Sequence, residues 1–338
     1  MSIQDETRFR ARRKEAIVPM ANIRQIAKEA NVSVSTVSRV LNGHPYVSEE
    51  KRNAVEQVIK KHRYDRNINA VHLSTGKTFM VGVVVPFTNR PYFAALLEGM
   101  AEEAFQSRYK LVFIQTKYEE SREVEALEML KYRQVDALII CSRTCQLEVI
   151  EPYTQYGNIV LYEKTLHTKM SGTYVNHYAV FKQALTYLHA KGHDQIGYSI
   201  GRLEGTNSVQ RATAYRDFLT EINQPYRSEY VFSHCFHFED GVELIRQWSK
   251  LDVRPTALML TSDQVASGAI TAAREQGIQI GTELAVIGFD NQPISRIFQL
   301  TTVDMKLSEI GRKTFRQALA EEISQEEIEV KLIERGSA

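Results

Sequence analysis

Residues 22–41 of this 338-residue chain read NIRQIAKEANVSVSTVSRVL and predict two short helices joined by a tight turn. In the first helix the apolar residues recur at i, i+3, i+4 and i+7, which places them on one face. Asn22 and Gln25 have the spacing of a capping box, which fixes the start of that helix. Asn31 tolerates the left-handed backbone of a turn, and Ser33 can cap the second helix. The sequence therefore predicts a helix-turn-helix.

The second helix presents small polar side chains and an arginine on its outer face. Such a face can enter a major groove without steric conflict, where hydroxyls meet phosphates and a guanidinium bridges two acceptors of guanine. An ordinary helical hairpin with a solvated outer face is the alternative that this pattern alone leaves open. The residues expected to contact DNA from the two helices and the turn after them are Arg24, Ser33, Val34, Ser35, Thr36, Ser38, Arg39 and Asn42.

The same stretch, extended to IRQIAKEANVSVSTVSRVLNG, resembles the amino-terminal signature of the lactose-repressor (LacI/GalR) family of bacterial transcription regulators. The segment VSVSTVSRVLN is its most specific part. The chain departs from the family at Asn31, where the family usually has glycine, and both residues suit a tight turn. The resemblance covers nearly the whole chain. It implies a DNA-binding head, a hinge and a periplasmic-binding-protein-like core.

Composition indicates a soluble globular protein of more than one domain. The chain is 43% hydrophobic and 25% charged, which is typical of that class. No apolar run approaches the roughly 18–20 residues that span a bilayer, and no signal peptide opens the chain. Cys141, Cys145 and Cys235 are too few for a disulfide framework. A cytoplasmic protein without membrane contact is therefore expected.

The charge is distributed unevenly along the chain. Residues 1–77 carry 15 Lys and Arg against 8 Asp and Glu, whereas residues 78–338 carry 27 against 33. The basic end contains the predicted helix-turn-helix. Such asymmetry is expected when one module meets phosphates and another does not.

The chain divides by pattern into four parts. Residues 1–19 are a basic extension, for which an arm that grips phosphate and an unstructured segment are both open. Residues 20–64 form the helix-turn-helix head, with a third helix that Ser48 is expected to cap. Residues 65–78 are a linker, and residues 79–338 alternate strands with helices. That alternation predicts two open, doubly wound parallel-sheet subdomains with a cleft between them, the first over about 79–175 plus 303–325 and the second over about 176–302 plus 326–338.

The linker has a further role by resemblance. In the family this segment folds into a short hinge helix on DNA, and Asn69, Ala70 and Leu73 match its pattern. The resemblance implies that these three residues contact DNA and that Leu73 inserts between base pairs from the minor groove. Arg66 stands where the family often has proline. A plain flexible tether is the alternative.

Ligands of open α/β sheets bind beyond the carboxyl ends of the strands. The predicted strand ends carry arginine, carboxylates, amides and aromatic rings, which suit a small polar molecule such as a sugar. By resemblance, Arg211 and Asp263 match the family's strongest effector contacts, and Phe236, Tyr92 and Phe93 match aromatic pocket positions. Each acid near a strand end could instead merely cap the next helix. The expected effector-binding residues are Tyr92, Phe93, Glu163, Asn207, Arg211, Phe236, Asp263 and Asp290.

The sequence offers no catalytic constellation. No phosphate loop, nucleophile elbow or G-x-G-x-x-G follows a predicted strand. His234, Cys235 and His237 alternate between the two faces of an extended segment and lack the remaining ligands for zinc. We therefore expect no catalytic residue, no metal and no cofactor.

The sequence predicts a transcriptional repressor that binds a palindromic double-stranded DNA operator as a homodimer. A small-molecule effector, a sugar or a sugar derivative, is expected to control it from the cleft. A carbohydrate-binding protein without a DNA role and an α/β enzyme are the alternatives that the core alone would permit.

Overall fold

The computed structural model describes residues 21–64, 75–166 and 168–338. The chain forms two compact units that divide between Gly76 and Lys77. The first unit contains the helix-turn-helix head, and the second contains the α/β core.

The head consists of three helices around a small apolar core: α1 (Ile23–Glu29), α2 (Val34–Leu41) and α3 (Glu49–His62). The predicted capping box at the start of α1 is confirmed. The backbone N–H of Asn22 donates to Oε1 of Gln25 at 2.8 Å, and that of Gln25 donates to Oδ1 of Asn22 at 3.0 Å. The expected turn is also present, because the backbone at Asn31 has a φ of 53°.

The start of α3 differs from the prediction. Ser48 precedes the helix, but its side chain makes no capping hydrogen bond. Arg52 of the first turn instead donates to the carbonyl of His44 at 2.8 Å, which ties the helix to the loop before it. The other end of α3 reaches α1, since Lys61 and His62 both pair with Glu29.

The first sheet of the core is parallel throughout, with the order β11-β5-β4-β3-β1-β2. Its strands are β1 (Met80–Val85), β2 (Lys110–Gln115), β3 (Ala137–Ile140), β4 (Asn158–Leu161), β5 (Ser171–Tyr174) and β11 (Gln325–Glu327).

The second sheet has the order β12-β10-β9-β8-β6-β7 and is parallel except where β12 pairs with β10. Its strands are β6 (Ile196–Ser199), β7 (Val231–Phe232), β8 (Ala257–Met259), β9 (Ala285–Phe289), β10 (Thr301–Asp304) and β12 (Lys331–Ile333).

Helices pack against both faces of each sheet, and the strands are therefore rich in buried apolar residues. The helices of the core are α4 (Pro91–Ser107), α5 (Glu120–Lys131), α6 (Leu147–Ile150), α7 (His177–Ala190), α8 (Thr206–Glu221), α9 (Phe238–Trp248), α10 (Asp263–Glu275), α11 (Pro293–Ile297) and α12 (Leu307–Leu319). Two 3₁₀ turns lie at Glu151–Gln155 and Ser228–Tyr230.

The chain passes between the sheets after β5, after β10, and between β11 and β12. These crossings shift the expected subdomain limits slightly. Residues 326–327, expected in the second subdomain, pair with β5 in the first sheet, because β11 continues to Glu327. Asp304, expected in the first subdomain, ends β10 and pairs with Lys331 in the second sheet.

Strands β5 and β10 lack the continuous apolar pattern of the other buried strands, because they are rich in Ser and Thr. Their hydroxyls are nevertheless satisfied inside the protein. Thr173 donates to Oε1 of Gln317 at 2.8 Å, and Thr301 donates to the carbonyl of Arg335 at 3.0 Å. A buried strand tolerates such residues when each hydroxyl has a partner, and the apolar pattern used to detect strands is then absent.

Candidate functional site

The outer surface of α2 carries a cluster of hydroxyl groups. Ser33 caps the helix by accepting a hydrogen bond of 3.1 Å from the N–H of Thr36. Its Oγ also lies 2.7 Å from Oγ of Ser35 and 2.8 Å from Oγ1 of Thr36. Ser33 and Ser35 are exposed, and the neighbouring Val34 is 42% exposed. This surface therefore offers three hydroxyls and one apolar contact to a partner.

Positive charge flanks this hydroxyl cluster. Arg39 lies in the last turn of α2 and Arg24 in the first turn of α1, and both are exposed. The amide of Asn42 donates to Oγ of the half-buried Ser38 at 3.4 Å. The structure thus places all eight residues expected from the helices and the turn on one small unit. The hinge positions Asn69, Ala70 and Leu73 lie outside the described residues, as do residues 1–19, and the expectations for them stay predictions.

The core has a cavity at the carboxyl ends of its parallel strands. In the first sheet β1 lies between β2 and β3, and in the second β6 lies between β7 and β8. The strand order reverses at these two points, where open α/β sheets bind ligands. The cavity has a volume of about 190 Å³ and is lined from both subdomains. Seven of the expected effector-binding residues line it: Tyr92, Phe93, Glu163, Asn207, Arg211, Phe236 and Asp290.

Arg211, from the second turn of α8, is 9% exposed. Its Cζ lies 4.1 Å from the ring centroid of Phe289, a cation–π contact. Its Nη2 lies 3.4 Å from Nδ1 of His177. Its Nε has no hydrogen-bond partner among the described residues. Burial lowers the pKa of Arg211, and burial together with the charge of Arg211 lowers the pKa of His177 well below its usual value. The imidazole is therefore neutral.

Asp290 follows β9 and has a φ of 101°, a backbone conformation that L residues rarely adopt. Strain of this kind persists where the surrounding structure enforces it, often at ligand sites. The side-chain amide of Gln292 donates to Oδ2 of Asp290 at 2.9 Å. Burial raises the pKa of Asp290 to about 7, although the charge of Arg211 and the bond from Gln292 oppose the shift.

Asp263 is placed differently from the expectation. Its side chain is completely buried and does not line the cavity. Thr302 donates to its Oδ1 at 2.5 Å, and the backbone N–H of Gln292 donates to its Oδ2 at 2.6 Å. Because both oxygens are engaged within the protein, Asp263 braces the loop that follows β9. Of the two aspartates, Asp290 is the one that lines the cavity.

Aromatic rings line the cavity from both subdomains, with Tyr92, Phe93 and Tyr162 in the first and Phe236 in the second. The rings of Tyr92 and Phe93 meet edge to face with centroids 5.1 Å apart, and Tyr162 lies 6.3 Å from Tyr92. The guanidinium of Arg90 lies 3.9 Å from the ring centroid of Phe87 and 4.2 Å from that of Phe236. These rings offer flat apolar surfaces of the kind that contact the apolar face of a sugar.

Several direct contacts cross the cavity from one subdomain to the other. Thr206 at the start of α8 donates to Oε2 of Glu163 at 2.8 Å, and Glu163 pairs with Arg143. Arg202 donates to the carbonyl of Arg143 at 3.0 Å, and its guanidinium lies 4.3 Å from the ring centroid of Tyr118. The described conformation therefore has its two rims in contact.

The expected effector-binding residues include none of Arg90, Arg202 and His177. The two arginines nevertheless lie in segments directly after β1 and β6, which their position beyond predicted strand ends marks as ligand-binding. His177 begins α7 after the first crossing between the sheets, and nothing in its local sequence indicates that it reaches the cavity. The helix α8 begins at Thr206, although the amphipathic pattern of the sequence becomes clear only from Gln210 onward. Its first turn faces the cavity and lacks the apolar residues that would mark a helix.

Neither a cluster of metal ligands nor a reactive thiol lies at the cavity among the described residues. Among them, no three His, Cys, Asp or Glu side chains gather as metal ligands. Burial raises the pKa of the cavity-lining Cys141 and Cys235 to about 12, so both thiols are protonated and poor nucleophiles. None of the helices in the described ranges is long and apolar enough to cross a membrane.

Comparison with known proteins adds to these observations. Residues 22–67 match the family model described as bacterial regulatory proteins, lacI family. Residues 78–336 match the model described as periplasmic binding proteins and sugar binding domain of LacI family.

Individual proteins resemble the chain over most of its length. The HTH-type transcriptional regulator YkvZ of Bacillus subtilis is 39% identical, over 94% of this chain and all of the relative. The NTD biosynthesis operon regulator NtdR of the same species is 36% identical, over 87% of this chain and 90% of the relative. The solved lac repressor dimer bound to operator and the anti-inducer ONPF superposes with a TM-score of 0.81 at 22% identity, over 94% of this chain and 98% of that chain. These proteins are transcription regulators or repressors rather than enzymes.

Proposed function

This chain belongs to the LacI family of bacterial regulatory proteins, and from that premise we propose that it is a cytoplasmic repressor that binds a palindromic operator as a homodimer. A small effector, a sugar or a sugar derivative, controls the affinity for DNA from the cavity between the two sheets. The chain regulates transcription and is not an enzyme.

The outer face of α2 is the observation that carries the DNA-binding proposal. It presents the hydroxyls of Ser33, Ser35 and Thr36 beside the exposed Arg39. Its apolar residues Val37 and Val40 are buried in the head, so only short polar groups and one long cation remain outside. A face of this kind fits a major groove, where hydroxyls reach phosphates and arginine reaches guanine.

The experiment is an electrophoretic shift of DNA from upstream of the protein's own gene. The full chain is expected to retard this duplex at concentrations that leave a scrambled duplex of equal length free, at one fixed salt concentration. Equal retardation of the two duplexes would contradict sequence-specific recognition.

Dimerisation is proposed because two recognition helices must meet successive major grooves about 34 Å apart. The first sheet offers a surface for it at its free edge, where Phe113 of β2 is 51% exposed. Phe105 near the end of α4, the helix beside β2, is 87% exposed. Exposed aromatic residues at a sheet edge are a liability in a monomer. Sedimentation should show a dimer that Phe113→Asp converts to monomer, and a wild-type monomer at micromolar concentration would contradict the proposal.

The cavity supports a small polar effector. Its volume is about 190 Å³, and a second cavity of about 350 Å³ shares Tyr162, Glu163, His177 and Asn207 with it. Together they provide space for a ligand of the size of a sugar or a sugar derivative. The arginine and carboxylate donors and acceptors suit hydroxyl groups, and the aromatic rings suit the apolar face of a sugar ring. A thermal-shift screen of sugars and sugar derivatives tests this, because a ligand at 100 times its dissociation constant adds about 2.7 kcal/mol to the stability of the folded state.

A further inference from the structure

We propose that the effector is an anionic sugar derivative, whose phosphate or carboxylate group lies against the first turn of α8 between Arg90, Arg202 and Arg211. This inference rests on the proposed effector site and names its ligand class. Three observations support it: the excess of cationic side chains around the cavity, the buried Nε of Arg211 that lacks a hydrogen-bond partner, and the amino terminus of α8.

The cavity is lined by more cations than anions. Arg90, Arg143, Arg202 and Arg211 line it, against Glu163 and Asp290. Glu163 pairs with Arg143 and is therefore neutralised.

No salt bridge within the described residues engages Arg90, Arg202 or Arg211. The charge of Asp290 still acts on Arg211, and that of Asp240 on Arg90, although neither pair forms a salt bridge. A buried or half-buried cation without a paired counter-ion is costly, and an anionic ligand would reduce that cost.

Arg211 provides the buried donor. Its side chain is nine-tenths buried, and its Nε finds no acceptor in the described part of the chain. Its guanidinium lies against the ring of Phe289 and Nδ1 of His177, and it lines the same cavity as Thr206, Asn207 and Ser208 of the first turn of α8. Arg90 also has a buried Nε without a partner, at the opposite rim. A ligand with several acceptor oxygens would satisfy both donors.

The amino terminus of α8 provides the third part of the site. Gly205 precedes the helix and gives no side-chain cap, and the first turn contains no acidic residue. Thr206, Asn207 and Ser208 of that turn line the cavity. The hydroxyl of Thr206 donates to Glu163, which leaves the side chains of Asn207 and Ser208 to face a ligand. Free N–H groups and the helix dipole favour an anion at such an end. Arg202 lies close to Gly205. The position that a Cβ atom on Gly205 would occupy is 3.7 Å from Nε of Arg202.

The carboxylates near the site do not balance these charges. Asp240 is engaged at the start of α9, where it accepts hydrogen bonds from the N–H groups of Phe236 and His237. Glu123 is fully buried, and burial raises its pKa. Burial likewise raises the pKa values of Asp263 and Asp290, to about 8 and about 7. Asp240 is therefore committed to backbone N–H groups, as is Glu123, whose Oε2 accepts a hydrogen bond of 2.7 Å from the N–H of Thr144. Asp290, with a pKa of about 7, is only partly ionised at neutral pH.

Calorimetric titration of the full chain tests the ligand class with matched sets. Glucose, galactose, fructose and ribose are each offered as the neutral sugar, as its terminal phosphate and as a sugar acid. In at least one set an anionic member is expected to bind about tenfold or more tightly than its neutral parent, because hydrogen bonds to charged groups are the stronger ones. The comparison of phosphate with acid identifies the anion. Binding of neutral parents that equals or exceeds that of their anions, or binding of no anionic member, would overturn the proposal.

Two variants locate the anion. Arg202→Gln is expected to lower the affinity for the preferred anionic ligand by about tenfold more than the affinity for its neutral parent. Arg216→Gln serves as the control, because Arg216 lies on the same helix, is exposed and does not line the cavity. Equal affinities in Arg202→Gln and the wild type would contradict the assigned position.

A gel shift with operator and no ligand is run on the same preparations. If the protein binds operator and only a neutral sugar releases the DNA, the proposal of an anionic effector is wrong, whereas the proposal of a repressor still holds. Absent operator binding would instead contradict the proposed function itself.

Discussion

The hydroxyl of Thr302 on β10 donates a hydrogen bond of 2.5 Å to Oδ1 of Asp263 at the start of α10, and both side chains are completely buried. Together with the bond from the N–H of Gln292, this contact turns Asp263 away from the cavity. The residue therefore has a structural role, and it holds the loop that carries Asp290.

This arrangement predicts a loss of stability in Asp263→Ala. The variant leaves a buried hydroxyl and a buried N–H without an acceptor, and each costs about 1–3 kcal/mol. We expect the free energy of unfolding of the core to fall by about 2–4 kcal/mol, measured by denaturant titration. Asp263→Asn keeps an acceptor for Gln292 and a donor toward Thr302, so it should lose less than half as much. Equal losses would show that the hydrogen bonds matter little.

The pH dependence of the free energy of unfolding tests the protonation of Asp263. Burial raises the pKa of Asp263 to about 8 in the folded protein, whereas an unfolded Asp titrates at about 3.9. Folding therefore takes up a proton between these values, and this contribution to stability, complete below about pH 4, is lost as the pH rises to about 8. In Asp263→Asn the free energy of unfolding should fall less steeply as the pH rises, by as much as about 1.4 kcal/mol per pH unit. Parallel profiles for wild type and variant would contradict the raised pKa.

Arg211→Ala and Asp290→Asn should abolish the response to effector while leaving operator binding nearly intact. Both side chains line the cavity of the core, whereas the proposed DNA contacts belong to the head unit. The measurement is an anisotropy titration of operator with and without the ligand found in the screen. Arg216→Ala, outside the cavity, is the control and should respond normally. A normal response in both cavity variants would remove these residues from the site.

Arg39→Ala should weaken binding to the operator by about 1–3 kcal/mol and binding to a scrambled duplex much less, because a base contact carries sequence information. Lys60→Ala replaces another exposed cation of the head and serves as the comparison. If Lys60 contacts a phosphate, Lys60→Ala should lower the affinities for operator and scrambled duplex by the same factor. If Lys60 contacts no DNA, neither affinity should change. If Arg39→Ala lowers the two affinities equally, Arg39 contacts the backbone rather than a base.

Leu73→Ala tests the hinge that the family resemblance implies. A leucine wedge unstacks a base step at a cost of a few kcal/mol and permits a bend that adds contacts. If the effector shifts a population of linker conformations, Leu73→Ala should bind the operator more weakly but non-specific DNA as well as the wild type does. Its operator affinity should also change less when the effector is added. Titrations of both duplexes with and without effector decide this. Equal losses on the two duplexes would mean that the linker is a passive tether.

The sequence alone determined the helix-turn-helix and the alternation of strands with helices. The capping pair Asn22 and Gln25, the turn at Asn31 and the capping Ser33 act over three or four residues, so their geometry follows from local sequence. The apolar strands of the core are predictable for a similar reason, because strands covered on both faces must be continuously apolar. Positions after those strands also indicated most of the residues that line the cavity.

The tertiary structure decided which acid faces the cavity and which charges lack partners. Asp263 and Asp290 both follow buried strands, and no local pattern distinguishes them. Only the neighbouring strand β10, some forty residues along the chain, supplies the Thr302 hydroxyl that engages Asp263. The partners of Arg143 and Arg202 likewise come from distant segments. Hydrogen bonding and burial depend on residues far apart in sequence, so the electrostatics of the cavity become visible only when the chain has folded.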